Sequence, residues 1–142
     1  MDRQAPRFAA RNREPASQPD EFLIVCLCAD WCGVCREYRA GFEEVSRHFA
    51  DARFEWLDIE EQADDLGDIE VENFPTLLIR RRESILFFGA MPPAPAHLER
   101  TLRTFQRQTV DESHEYAASS PERRSWQVNE DLRRIGSRGA AR

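Results

Sequence analysis

The chain has 142 residues, 41% of them hydrophobic, and a formal net charge of −6; all 20 of its basic residues are arginine. An isoelectric point near 5.2 and a mean hydropathy of −0.66 argue against a nucleic-acid binder, which needs a basic face, and suit one domain with polar segments outside its core. The first apolar run, FLIVCLC, is seven residues long, far short of the roughly 20 of a membrane-spanning helix.

Residues 1–20 hold three prolines, four arginines and no apolar stretch of the kind a secretory signal carries. They read as a disordered N-terminal arm. The chain is therefore expected in a reducing cytoplasm, where clustered cysteines are more often catalytic or metal-binding than structural.

Phe22 to Cys28 is unbroken apolar sequence and predicts a central strand buried on both faces. After a short loop, Cys35, Tyr38, Phe42, Val45 and Phe49 recur at spacings of 3, 4, 3 and 4, one helical stripe that Gly41 weakens slightly. Phe54 to Ile59 predicts a second strand, and residues 61–66 a short helix with Gly67 as its cap. Thr76 to Arg80 and Ile85 to Gly89 predict two antiparallel strands, joined by Arg81 to Ser84 without an Asn-Gly or Asp-Gly turn. The segment MPPAPA opens a last helix with Leu98, Thr101, Leu102 and Phe105 on one face.

The order β-α-β-(α)-β-β-α implies an α/β fold in which the first two strands are parallel. The expected domain covers residues 21–108, and residues 109–142 are expected to be a polar tail, with a short helix at 120–135 if Val128, Leu132 and Ile135 dock. The run Arg80-Arg81-Arg82 reads as a solvated hairpin end, and His48, His97 and His114 show no ligand or triad spacing.

All four cysteines lie within CLCADWCGVC, residues 26–35. Cys32 should sit at the N-terminus of the first helix, where unpaired N–H groups and the helix dipole favour a thiolate. Cys35 lies one turn deeper on the apolar face and is placed to resolve a mixed disulfide formed at Cys32. A CxxC at a strand-to-helix junction inside a βαβ unit is a redox signature. Two alternatives stand beside it. Four thiolates could bind zinc or an iron–sulfur cluster, although two of them lie in an apolar strand. The domain could also be a non-enzymatic interaction or chaperone module with the tail as its handle.

Trp31-Cys32-Gly33-Val34-Cys35 resembles the WCGPC active site of the thioredoxin family, and Phe74-Pro75-Thr76 resembles that family's cis-proline loop. Phe88-Gly89-Ala90 and the element order agree, over about residues 22–107. The resemblance implies a thioredoxin-like fold, a central mixed sheet flanked by helices, here lacking a recognisable first strand and helix in residues 1–20. It implies a thiol–disulfide oxidoreductase that reduces protein disulfides, with Cys32 as nucleophile and Cys35 as resolving thiol. Pro75 would be cis, the backbone at Phe74 would pair with an extended substrate, and Trp31 and Phe74 would form an apolar rim. Gly33, Val34, Thr76 and Gly89 would complete the substrate surface, with Gly89 keeping it flat. The sequence has no flavin, nicotinamide or other cofactor motif, so electrons would come from a partner dithiol protein such as a thioredoxin reductase.

The sequence departs from the family pattern at the active site. Val34 replaces the proline between the cysteines, which is expected to make the potential less reducing. Cys26 stands where the family has a buried aspartate, and Trp56 where a lysine often pairs with it; losing both avoids an unpaired buried ion but removes a general base. Cys26 and Cys28 share one side of the strand. Each suits a small buried apolar position, and Cys26 could alternatively serve as a third thiol toward Cys35.

Overall fold

The computed structural model describes residues 21–136. The expected N-terminal arm, and the expected absence of a first strand and helix there, lie outside the described residues.

The elements in chain order are β1 (Phe22–Cys28), α1 (Gly33–Ser46), β2 (Ala52–Asp58), α2 (Ala63–Leu66), β3 (Thr76–Arg81) and β4 (Ser84–Ala90). These are followed by α3 (Pro95–Gln106), α4 (Val110–Ala117), α5 (Pro121–Gln127) and α6 (Glu130–Arg134). The sheet order is β2-β1-β3-β4; β1 runs parallel to β2 and antiparallel to β3, and β3–β4 is an antiparallel hairpin. This is the thioredoxin-like arrangement, a mixed four-stranded sheet flanked by helices. Because β1 is central and covered on both sides, all seven of its residues are buried. That explains its unbroken apolar sequence.

Alternation along β1 divides the core into two layers. Phe22, Ile24, Cys26 and Cys28 pack with Cys35, Tyr38, Phe42 and Val45 of α1 and with Leu98, Leu102 and Phe105 of α3. Leu23, Val25 and Leu27 pack in the opposite layer with Leu57, Leu66, Leu78, Ile85, Leu132 and Ile135. Phe49 belongs to the first layer although α1 ends at Ser46, so the helical stripe outlasts the helix. Gly41 has a packing reason: a Cβ there would lie 2.2 Å from Cγ of Pro95, so its lack of a side chain lets α3 approach α1.

Three sequence expectations are revised. The hairpin connection is only Arg82 and Glu83, with Arg82 itself at φ 52°, so an arginine adopts the left-handed position where Asn or Gly was sought. Of the arginine run expected as a solvated end, only Arg82 is exposed. Arg81 donates to Glu21, to the Gln108 carbonyl and to Ser113 Oγ at 2.8–3.0 Å, and its guanidinium lies over the Phe22 ring. Arg80 donates to the Arg133 carbonyl at 2.9 Å. Finally, residues 110–134, expected as a polar tail, contain three helices, and the single helix considered at 120–135 is split into α5 and α6.

The helices of this segment are individually specified. Thr109 and Glu112 form a reciprocal capping box on α4, Ser120 caps α5 ahead of Pro121, and Asn129 caps α6. The segment closes the second layer, because Leu132 and Ile135 are 1% and 0% exposed. It also covers the sheet edge. The Gln127 side-chain amide accepts from Ile85 N at 2.9 Å and donates to Ile85 O at 2.8 Å, standing in for a neighbouring strand.

Candidate active site

The loop between β1 and α1 is held from below by a residue the sequence reading missed. Asp58, the last residue of β2, lies beside Cys28 in the parallel register and is 7% exposed. Its carboxylate accepts from the backbone N–H groups of Asp30, Glu60 and Glu61 at 3.0, 2.8 and 3.0 Å. These bonds, that from Glu61 foremost, hold the carboxyl below its ordinary range against the opposing effect of burial. The sequence signal was an acidic residue ending a half-buried strand next to the strand that carries the cysteines.

Cys32 is the N-cap of α1, with extended backbone geometry and no capping hydrogen bond from its side chain. Its carbonyl accepts the first helical bond, from Arg36 N at 3.1 Å. No acidic residue occupies the first turn, so nothing offsets the positive end of the helix dipole beside the sulfur. Cys32 is a free, half-buried thiol packed against the core layer that contains Cys28 and Cys35.

The rim residues come together around it. Trp31 is 62% exposed, donates from Nε1 to Glu60 Oε2 at 2.9 Å, and meets the Phe74 ring edge-on at 5.7 Å. The Phe74–Pro75 peptide is cis, and Phe74 packs on the same layer as Cys32. Thr76 opens β3 and donates from Oγ1 to Asn73 O at 2.6 Å. Val34 is 42% exposed, and a Cβ on Gly33 would meet only Arg36 Nη2, at 3.7 Å, so this face is shallow and open. Gly89 (φ 155°) lies opposite Leu77 on the edge strand β4, with β3 between it and β1.

The cysteine connectivity differs from the expected pairing of Cys32 with Cys35. Cys35 is joined by a disulfide to Cys28, with a Cα–Cα separation of 5.8 Å, and Cys26 and Cys32 are free. The reason is geometric. Cys28 ends β1 on the face that α1 covers, directly beneath the turn that carries Cys35, so it is more than a small apolar filler. The position considered as a third thiol, Cys26, lies one step further back: its sulfur faces that of Cys28 at 3.8 Å and it is fully buried. Burial pushes the Cys26 thiol up to about 12, with Arg39 opposing weakly, so at neutral pH it stays protonated and a poor nucleophile. Above it, the Tyr38 hydroxyl is buried without a hydrogen-bond partner, and burial followed by the nearby Cys26 raises its pKa. Trp56, opposite Cys26 in β2, is covered by the Arg39 guanidinium at 5.0 Å. Among the described residues no three His, Cys, Asp or Glu side chains are grouped to hold a metal ion.

The thioredoxin family model matches residues 9–92. Thioredoxin-2 of Saccharomyces cerevisiae is 32% identical over 77 residues, 53% of this chain and 74% of the yeast protein. Thioredoxin H2-2 of Oryza sativa is 32% identical over 63 residues, 44% of this chain and 47% of its own length, so the chain spans about half of that relative. Among solved structures, thioredoxin from Trypanosoma brucei brucei superimposes with a TM-score of 0.56 at 21% identity, covering 64% of this chain and 80% of that one. Fold and site together define a thioredoxin-like protein with a thiol at a strand-to-helix junction. The chain belongs to the thioredoxin family, a family of thiol–disulfide oxidoreductases.

Proposed function

We propose that the protein reduces disulfides in other proteins through Cys32, by a mixed-disulfide intermediate that Cys35 resolves. The observation that carries this reading is the placement of Cys32: a free sulfur at an uncompensated helix N-terminus, beside the apolar rim of Trp31 and Phe74. In the reduced protein the Cys32 thiolate attacks a substrate disulfide and releases one substrate thiol. Cys35, one turn on, then attacks the Cys32 sulfur and releases the second. An extended substrate would lie along the Phe74–Pro75–Thr76 backbone, with Gly33, Val34 and Gly89 leaving room for it.

In this reading electrons return from a partner dithiol protein, with a thioredoxin reductase the natural class. No helix among the described residues is long and apolar enough to cross a membrane, and the proposed location is the cytoplasm.

Dithiothreitol-driven insulin reduction tests the reading. Wild type should accelerate insulin precipitation, and Cys32→Ser should fall to the uncatalysed rate. Equal rates for the two proteins would make Cys32 a bystander and favour a non-enzymatic docking module.

A further inference from the structure

Three of the four thiols form a line from solvent to core. Cys32 is half-buried at the mouth, Cys35 is 1% exposed behind it, and Cys28 is fully buried beneath, with Cys35 bonded to Cys28. Cys35 is within bonding reach of both neighbours: it stands three residues from Cys32 in the first helical turn, where side chains share a face, and its Cα is 5.8 Å from that of Cys28. From this arrangement we infer that Cys28 takes over the disulfide after each round of substrate reduction, so that the oxidised protein stores its disulfide in the core and keeps Cys32 as a free surface thiol. This rests on the reading that Cys32 reduces substrate disulfides.

The step is a thiol–disulfide exchange with no net electron transfer. The Cys28 sulfur attacks the Cys35 sulfur of a Cys32–Cys35 disulfide. The Cys28–Cys35 bond forms, the Cys32–Cys35 bond breaks, and the proton lost by Cys28 ends on the Cys32 sulfur or in solvent. Electrostatics favour this direction. Before exchange, the sulfur left as a thiol is enclosed by apolar side chains, where negative charge is costly. Afterwards it is at the solvent-facing helix N-terminus, where negative charge is favoured. Cys26 stands one step further from Cys35, its sulfur meeting that of Cys28 at 3.8 Å, so Cys28 is the thiol placed for this role. Reduction runs in reverse: Cys32 attacks Cys35, returns the disulfide to the surface, and exposes it to the donor.

The arrangement has a functional consequence. A thioredoxin whose disulfide joins the two cysteines of its CxxC has no thiol left at its mouth. Here the oxidised protein can still attack a second disulfide, and Cys35 is not free to resolve the product. The oxidised form therefore holds a second disulfide-bearing partner covalently until an external thiol displaces it from Cys32, after which Cys32 is free to return the core disulfide to the surface.

The test uses the full chain, reduced and then oxidised with one equivalent of oxidised glutathione, quenched with a maleimide at low pH and mapped by mass spectrometry. Cleavage at Asp30 separates Cys26 and Cys28 from Cys32 and Cys35. A Cys28–Cys35 bond then gives a two-chain peptide, and a Cys32–Cys35 bond a single looped one. The expected result is a looped peptide at short times, replaced by the two-chain peptide with maleimide on Cys32. A looped peptide that persists, with Cys28 alkylated, overturns the inference while leaving the insulin result untouched. With excess oxidised glutathione, the oxidised wild type should take one glutathione on Cys32, and Cys28→Val, which fills the site with a similar apolar volume, should take none. Equal labelling of the two also overturns it. Mapping of the wild type decides the matter even if Cys28→Val fails to fold.

Discussion

Cys26 and Asp58 lie on neighbouring strands, and their surroundings act in opposite senses: burial raises the Cys26 thiol, while backbone hydrogen bonds lower the Asp58 carboxyl. Unfolded, Cys26 ionises near 9; folded, near 12. Between those values the unfolded chain has lost a proton that the folded chain retains, so stability present below pH 9 is lost progressively as pH rises toward 12. Cys26→Ala should flatten that alkaline loss, measured as urea midpoints from pH 8 to 11, while lowering stability at pH 7 by about 1 kcal/mol for the cavity. Identical slopes in the two proteins would contradict a protonated, buried thiol. Asp58 behaves in the acid sense. Its folded pKa is depressed below 3.8, so its contribution is present above the unfolded value and is lost as pH falls through the folded one. Asp58→Asn should destabilise by about 1–3 kcal/mol at pH 7, with the gap to wild type closing as pH falls through the depressed folded value. It should also slow insulin reduction, because Asp30 of the loop beside Cys32 loses the acceptor that ties it to Glu60 and Glu61 of the loop after β2.

At the scale of elements, the strands and the first helix were legible because their signals are local. An unbroken apolar run marks β1, a 3–4 spacing marks α1, and two short β-rich runs mark the hairpin. The Trp31–Cys35 and Phe74–Thr76 motifs could be read from sequence for the same reason: each is contiguous. What was not legible depends on neighbours distant in sequence. Nothing local to Cys28 says that Cys35 will sit above it, although the shared face of Cys26 and Cys28 and the apolar stripe of α1 pointed to one layer. Nothing local to Gly41 announces Pro95. Gly41→Ala, which on propensity alone would strengthen α1 by up to about 1 kcal/mol, should instead destabilise by about 1–3 kcal/mol through overpacking against the proline ring. A rise in melting temperature would remove that contact from the account. Gln127 illustrates the same limit at the sheet edge: an ordinary polar residue in a polar stretch becomes structural only because Ile85 arrives beside it. Gln127→Ala leaves the Ile85 N–H and C=O without these partners and should cost about 1–3 kcal/mol, read by chemical denaturation.

The described residues build one sheet with two covered faces, and the C-terminal segment packs on both: Tyr116 and Ala117 on the first layer, Leu132 and Ile135 in the second. Leu132 and Ile135 bury against Leu23 and Val25 of the central strand, each contributing about 1.5–3 kcal/mol from burial alone. Ending the chain after residue 108 uncovers that layer and the β4 edge together. The truncated protein should aggregate or unfold, whereas a polar handle would have left a stable thioredoxin-like core; circular dichroism and size-exclusion chromatography distinguish the two outcomes.

In the proposed mechanism the folded molecule presents one attacking sulfur, Cys32, to substrate disulfides. Trapping it is the most direct measurement: reduced Cys35→Ser protein is mixed with insulin, quenched by alkylation, and the disulfide-linked complex is mapped by mass spectrometry. The insulin sulfur should be found on Cys32, with Cys26 and Cys28 alkylated or protected as free thiols. Attachment at Cys26 or Cys28, or no complex at all, would contradict the account.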